Sequence, residues 1–355
     1  MIKKIINKIL IIFVLFFSIF TVSSCGVINQ TQLNKYKITT TLYPQYEFVK
    51  AILGDNKQLN SIFDVSIIVP PGADSHTFDP RLVDLIEIKN TDLFIYTSEE
   101  LETWVTKLEL TNIDVSVDLS KDERIKLLEV EEECDEDHDH STHHNHAHTF
   151  DPHFWVYPIY AGYMVDTIRH KMIELLVEHP KSGSDKPNQT VIDAINENAD
   201  NYINELNKID EALKIVSENA KIRTMYFASP FSFYYWSYFY DLEYVLTYAT
   251  CSTEVDPSIN TIIKVVNSIR DNNIKTIYVK ELLNTNVAEM IKEHTGAEIV
   301  LLHSCHNISN IDYQNGITFF SLMKENVYHL AKGLEVDPSI ITVFNESEVE
   351  EDAIN

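Results

Sequence analysis

Four histidines sit where a folded chain could bring them to one cation. His76 falls in Pro70-Pro-Gly-Ala-Asp-Ser-His-Thr-Phe-Asp-Pro80, just past the β-branched run Val65–Val69. His153 falls in Phe150-Asp-Pro-His-Phe-Trp155, ahead of a helical pattern. His303 directly follows the strand-like run Glu298–Leu302, and His306 comes three residues later. Neutral imidazole binds Zn²⁺ at about 2.0–2.1 Å, usually in four-coordination, so three imidazoles plus a carboxylate, thiolate or water would complete a site. A single loop histidine is ordinarily a surface or hydrogen-bonded residue, so the case rests on several of them converging.

The elements around these residues permit that convergence. From Tyr36 onward, short apolar runs alternate with helical patterns. Strands are expected at Lys37–Leu42, Val65–Val69, Asp92–Tyr96 and Ile113–Val117, with helices at Tyr46–Leu53, Pro80–Lys89 and Glu100–Leu108. A second series follows, with strands at Thr224–Ala228, Tyr244–Tyr248, Lys275–Val279 and Glu298–Leu302. Such alternation implies α/β lobes with mostly parallel sheets flanked by helices. In open α/β sheets the loops at the carboxyl ends of strands meet in the ligand crevice, and His76 and His303 lie at such ends on opposite halves of the chain. Between the halves, Gln189–Glu218 carries apolar residues mostly three and four apart, with Asn188 as N-cap and Pro187 blocking extension backwards. Thirty helical residues make a rod of about 45 Å, read as a rigid strut joining two lobes. The expected organisation is a leader over 1–24, a tether over 25–35, an N-terminal lobe over 36–186, the linking helix over 187–220, a C-terminal lobe over 221–340 and an acidic tail over 341–355.

The chain has 355 residues, 54 acidic and 28 basic, for a formal net charge of −26. This excess of acid argues against a phosphate-binding surface and hence against nucleic-acid partners. Neither GxGxxG nor GxxxxGK[ST] occurs, and no HExxH helix supports a zinc hydrolase. Lys3, Lys4 and Lys8 precede an apolar stretch, Ile9–Phe20, whose helix would reach about 18 Å, short of a roughly 30 Å hydrocarbon core. It therefore reads as a signal peptide. Its end, Val22-Ser-Ser-Cys25, resembles a lipobox, making Cys25 the expected lipid attachment and the outer face of the cell membrane the expected location. Export permits disulfides, and Cys251–Cys305 is the pair expected. An acidic, His-rich loop over 129–149 holds His138, His140, His143, His144, His146 and His148, several weak ligands that could gather metal. Deleting Glu129 to His146 should leave one tight site. The aromatic run Phe231–Tyr240 reads as packing beneath the cleft.

Thr40-Thr-Leu-Tyr-Pro-Gln-Tyr-Glu-Phe-Val49, the His76 segment and Asp92-Leu-Phe-Ile-Tyr96 together resemble the N-lobe of the zinc/manganese solute-binding proteins of ABC importers. Asp151-Pro-His-Phe-Trp155 looks like the family's second ligand motif, and an acidic His-rich loop ahead of it is typical of zinc-type members. Cys251-Ser-Thr-Glu254 and Leu302-His-Ser-Cys-His-Asn307 resemble segments of a zinc-type subgroup. The resemblance covers about residues 38–335. It implies two lobes on one long helix, metal held between them, delivery to a membrane permease, and no catalysis. His76 and His153 match the first two family ligands. The third family position falls in Phe227-Ala-Ser-Pro-Phe231, which has neither His nor acid, and the fourth is placed at His303. The expected set is His76, His153 and His303, with water, Glu254, Glu281 or His306 as fourth ligand; Glu281 could equally orient an imidazole. Imidazoles outnumber carboxylates, which favours Zn²⁺ over Mn²⁺. The expected protein is a monomer whose zinc affinity falls below about pH 6.5. Manganese or iron transport, a metal-dependent surface adhesin and, last, a zinc hydrolase are the rival functions.

Overall fold

The computed structural model describes residues 35–130, 149–181, 188–248 and 257–344. The leader, Cys25, Cys134, Cys251, Glu254, the six loop histidines and the acidic tail from 345 lie outside these described residues.

The first sheet holds β1 (Tyr36–Thr40), β2 (Phe63–Ile67), β3 (Leu93–Tyr96) and β4 (Val115–Asp118) in the order β2-β1-β3-β4, all parallel. Every residue of β3 is buried, as a parallel strand covered on both faces requires. Its helices are α1 (Tyr43–Leu53), α2 (Lys57–Ile62), α3 (Leu82–Lys89) and α4 (Pro158–Glu178). Pro44 and Pro158 occupy first-turn positions, where a missing N–H is harmless. A short antiparallel pair, β5 (Glu129–Val130) and β6 (Thr149–Phe150), brackets residues 131–148.

Thirty residues, Gln189–Glu218, form α5, started by the Asn188 side chain accepting the Thr190 N–H. The second half contributes β7 (Thr224–Phe227), β8 (Glu243–Leu246), β9 (Thr276–Val279) and β10 (Glu298–Leu301), parallel in the order β10-β9-β7-β8. Its helices are α6 (Tyr234–Tyr240), α7 (Ile259–Asp271), α8 (Asn286–Thr295), α9 (Asn310–Gln314) and α10 (Phe319–Gly333).

The long helix packs against α1, α2 and α4 on one side and α6 and α10 on the other. Its buried stripe includes Val191, Ile195, Ala199, Leu206, Ile209, Leu213 and Val216. One continuous apolar core runs from Ile38 and Phe48 in the first lobe to Phe319 and Leu330 in the second. Across this seam the Tyr43 hydroxyl donates to Ile317 O at 2.8 Å, and the Phe319 N–H donates to Glu47 Oε2 at 3.1 Å. The part of the chain from Tyr36 on is thus a single compact unit.

Two local expectations change. Glu100–Leu108 is not an α-helix but a 3₁₀ turn over Thr103–Lys107. The cause is Glu102, which turns inward to accept the N–H groups of Thr97 and Ser98 and the Thr41 hydroxyl. Cys305 is a buried free thiol, not half of the expected disulfide. It sits in an apolar core where burial pushes the thiol well above its ordinary pKa.

Candidate metal centre

Two of the expected ligands arrive on matching turns. Asp74 Oδ1 accepts the His76 N–H at 2.9 Å, and Asp151 Oδ1 accepts the His153 N–H at 2.9 Å. Each Asp-x-His pair is an Asx turn, which fixes the backbone in which the imidazole is carried. The His76 loop follows β2 and is held from the opposite lobe. Asn307 Nδ2 donates to Pro70 O at 2.8 Å and Ala73 O at 2.7 Å, and the Gly72 N–H donates to Ile308 O at 2.7 Å. Gly72 has φ +82°, and an added Cβ would meet Asn310 Nδ2 at 2.8 Å, so glycine is required there.

His153 is wholly buried. Its Nδ1 lies 3.1 Å from Asp151 Oδ2, so Nδ1 carries the proton and Nε2 keeps its lone pair. Helix α6 braces this segment from the second lobe: the Tyr235 hydroxyl donates to Asp151 O at 2.9 Å and Trp236 Nε1 to Val156 O at 2.7 Å. The aromatic run is packing, and it clamps the turn that bears His153.

The third imidazole is His306, not His303. Nitrogen atoms of His76, His153 and His306 all lie within 4.8 Å of one another. The rings of His306 and His76 meet edge to face at 4.7 Å between centroids, those of His306 and His153 at 5.1 Å. All three Nε2 atoms are buried without a hydrogen-bond partner. A buried polar atom left unpaired costs about 1–3 kcal/mol, and here three such ring nitrogens are buried in one cluster without a partner. Ligands of a tetrahedral zinc stand about 3.3 Å apart, so the separations need close by about 1.5 Å at most to hold one.

His303 is turned away for a physical reason. Asn326 grips its backbone twice, Oδ1 accepting the His303 N–H and Nδ2 donating to His303 O, both at 2.7 Å. Its Nδ1 accepts the Cys305 N–H at 3.0 Å. Cys305 itself is left-handed, with φ +56°, which reverses the chain and sends His306 into the cleft. Glu281, at the end of β9, fixes this bend: Oε2 accepts the Ser304 N–H at 2.8 Å and Oε1 accepts the Ser304 hydroxyl. From the first lobe Trp155 Nε1 donates to Ser304 O at 2.8 Å. Glu281 therefore orients the ligand loop and does not enter the cluster. Burial alone would raise its carboxyl, but the neighbouring His303 and Lys280 and the Ser304 hydrogen bonds hold it below the ordinary value.

Burial, then the neighbouring His153 and Lys280, pushes the His76 pKa down to about 3. Burial, followed by His76, His153 and Lys280, holds His306 well below its ordinary value. Neutral imidazole is the metal-binding form. A cavity of about 620 Å³ opens over the cluster, with His76, His306, Lys280 and Glu281 among its walls. Sequence reasoning missed Asp151, Trp155 and Lys280. The first was legible as the carboxylate two residues before a histidine, the same spacing as Asp74 and His76.

Comparisons with known proteins identify the family and the fold. Residues 38–333 match the family model described as zinc-uptake complex component A, periplasmic. The high-affinity zinc uptake system protein ZnuA of Bacillus subtilis is 30% identical over 306 residues, covering 85% of this chain and 89% of its own. The zinc-binding lipoprotein AdcA of Streptococcus pneumoniae is 28% identical over 300 residues, 84% of this chain and 56% of its own, so the chain spans about half of that relative. Among solved structures, the metal-dependent lipoprotein YcdH from Bacillus subtilis superposes with a TM-score of 0.67 at 25% identity, over 85% of this chain and all of that one. The Zn(II)-bound ZnuA-like domain of Streptococcus pneumoniae AdcA gives 0.66 at 24% identity, over 85% and 99%, and shares the fold. A two-lobed α/β frame, histidines converging between the lobes and a match over most of the chain place this protein in the ZnuA family, components of zinc uptake and not enzymes.

Proposed function

We propose that this protein captures Zn²⁺ between its lobes with His76, His153 and His306 and delivers it to an ABC importer permease. The observation that carries this reading is the trio of buried Nε2 atoms that face one another with no hydrogen-bond partner. Imidazole donors favour Zn²⁺ over Mn²⁺, which prefers oxygen. The relatives named for zinc uptake support the same cargo. A lipid on Cys25 would tether the folded unit to the outer face of the cell membrane. The His-rich insertion would feed the site from close by, since β6 runs directly into Asp151 and His153.

The test is a zinc titration of the purified mature protein against a chromophoric competitor. One tight site is expected, retained when residues 131–146 are deleted and lost when His76, His153 or His306 becomes Ala. Tight binding that vanishes with the insertion and survives the three substitutions would overturn the assignment.

A further inference from the structure

The centre has three protein donors where zinc ordinarily takes four, and among the described residues no carboxylate joins the cluster. Beside it stands Lys280. Its residue is 8% exposed, its side chain lines the cavity with His76 and His306, and its charge reaches both of those imidazoles. Among the described residues its ammonium has no hydrogen-bond or ion-pair partner. Glu281, next in the chain, is taken up by Ser304.

This arrangement is costly for a bare dication. Three neutral imidazoles contribute no negative charge, the buried carboxylates Asp151 and Glu281 are already engaged by His153 and Ser304, and an ammonium on the pocket wall faces the dication. Asp74 stands at the exposed rim, where water screens it. The cavity, about 620 Å³, is also far larger than one ion requires and falls within the range of small-molecule sites. An anion that binds the metal through one oxygen and the ammonium through another would complete the coordination, satisfy Lys280 and occupy the space.

We propose that the cargo is zinc together with a small carboxylate, which supplies the fourth metal ligand and is held by Lys280. This rests on the zinc-binding reading above. Carboxylate, and not an uncharged donor, is favoured because it can bridge a cation and an ammonium with its two oxygens. Lys280 is then a specificity residue: it admits the metal with its anionic companion and disfavours the bare ion.

Cobalt(II) substitution of the full mature chain, in a sulfonate buffer free of carboxylate, tests this. Acetate is the probe, and the visible d–d bands report the fourth ligand. Acetate should shift the bands saturably in the wild type. Lys280→Met, which keeps the side-chain stem, should weaken the apparent acetate affinity at least about tenfold. Lys280→Arg should restore most of it. A melting curve establishes that the variants are folded. Bands that ignore acetate overturn the inference, as does an acetate response equal in wild type and Lys280→Met. Bands that ignore acetate but change in Glu254→Gln would show that the chain supplies its own carboxylate, which overturns it too. Failure of cobalt to bind in one-to-one ratio at His76, His153 and His306 would instead remove the zinc-binding reading, and this proposal with it.

Discussion

Replacing His306 and His303 by Ala, one at a time, separates the geometry of the cleft from the simple proximity of a histidine to a strand end. Zinc sites built from protein donors bind with apparent free energies of about 10–16 kcal/mol. Shared over four donors, each is worth about 3 kcal/mol, or roughly 100-fold in affinity. His306→Ala removes one such donor outright, since its Nε2 is one of the three that face the cluster. His303→Ala removes an acceptor for one backbone N–H, that of Cys305. A neutral hydrogen bond contributes about 1 kcal/mol net, and Asn326 still holds the loop on both sides of residue 303, so a loss of about fivefold is expected. The assay is competition with a chromophoric chelator, using protein lacking residues 131–148 so that the six loop histidines add nothing. Equal losses, or a larger one for His303→Ala, would refute the assignment of the third ligand.

Other consequences follow from the same contacts. Asp151→Asn presents an amide N–H to His153 Nδ1, favouring the tautomer whose Nε2 is protonated; zinc affinity should fall about 10–100-fold while the melting temperature in the absence of metal changes little. With His76 neutral to about pH 3 and His306 held well below its ordinary value, these two rings are already deprotonated at pH 6. Calorimetry of the loop-deleted protein in two buffers at that pH should detect almost no proton release from these residues, against about 1.5 for two ordinary histidines, and release above one proton refutes this. The fall in affinity expected below about pH 6.5 thus moves to lower pH. Burial raises the Glu47 carboxyl from 4.5 to about 7, against the opposing Phe319 N–H and Lys50. The stability linked to Glu47 is full below pH 4.5 and is lost as pH rises through 7, so Glu47→Gln should gain about 3 kcal/mol relative to wild type across that window, read by urea melts. A Cβ at Gly333 would collide with the Tyr278 hydroxyl, so Gly333→Ala should cost about 1–3 kcal/mol by the same melts.

The parts of this molecule legible from sequence are those set by local periodicity. The rod Gln189–Glu218 shows its apolar stripe and its Asn188 cap in the chain itself, and β9 and β10 are plain β-branched runs. A strand end made His76 visible, and the resemblance of Asp151-Pro-His-Phe-Trp155 to a family motif made His153 visible. The choice between His303 and His306 was hidden because it depends on a left-handed residue at a cysteine, with no glycine to signal the turn, and on Glu281 and Trp155 reaching Ser304 from elsewhere. The short 3₁₀ turn near Trp104 was hidden for a similar reason. Glu102 is spent on buried N–H groups, and a tertiary hydrogen bond leaves no mark on helical periodicity.

The seam between the lobes has a final implication. Because apolar side chains from both halves join in one core around α5, each half keeps only a smaller cluster to itself, and cutting the chain at that helix would expose the shared interior. Heating should accordingly give one sharp transition, and adding cation should raise its midpoint without splitting it.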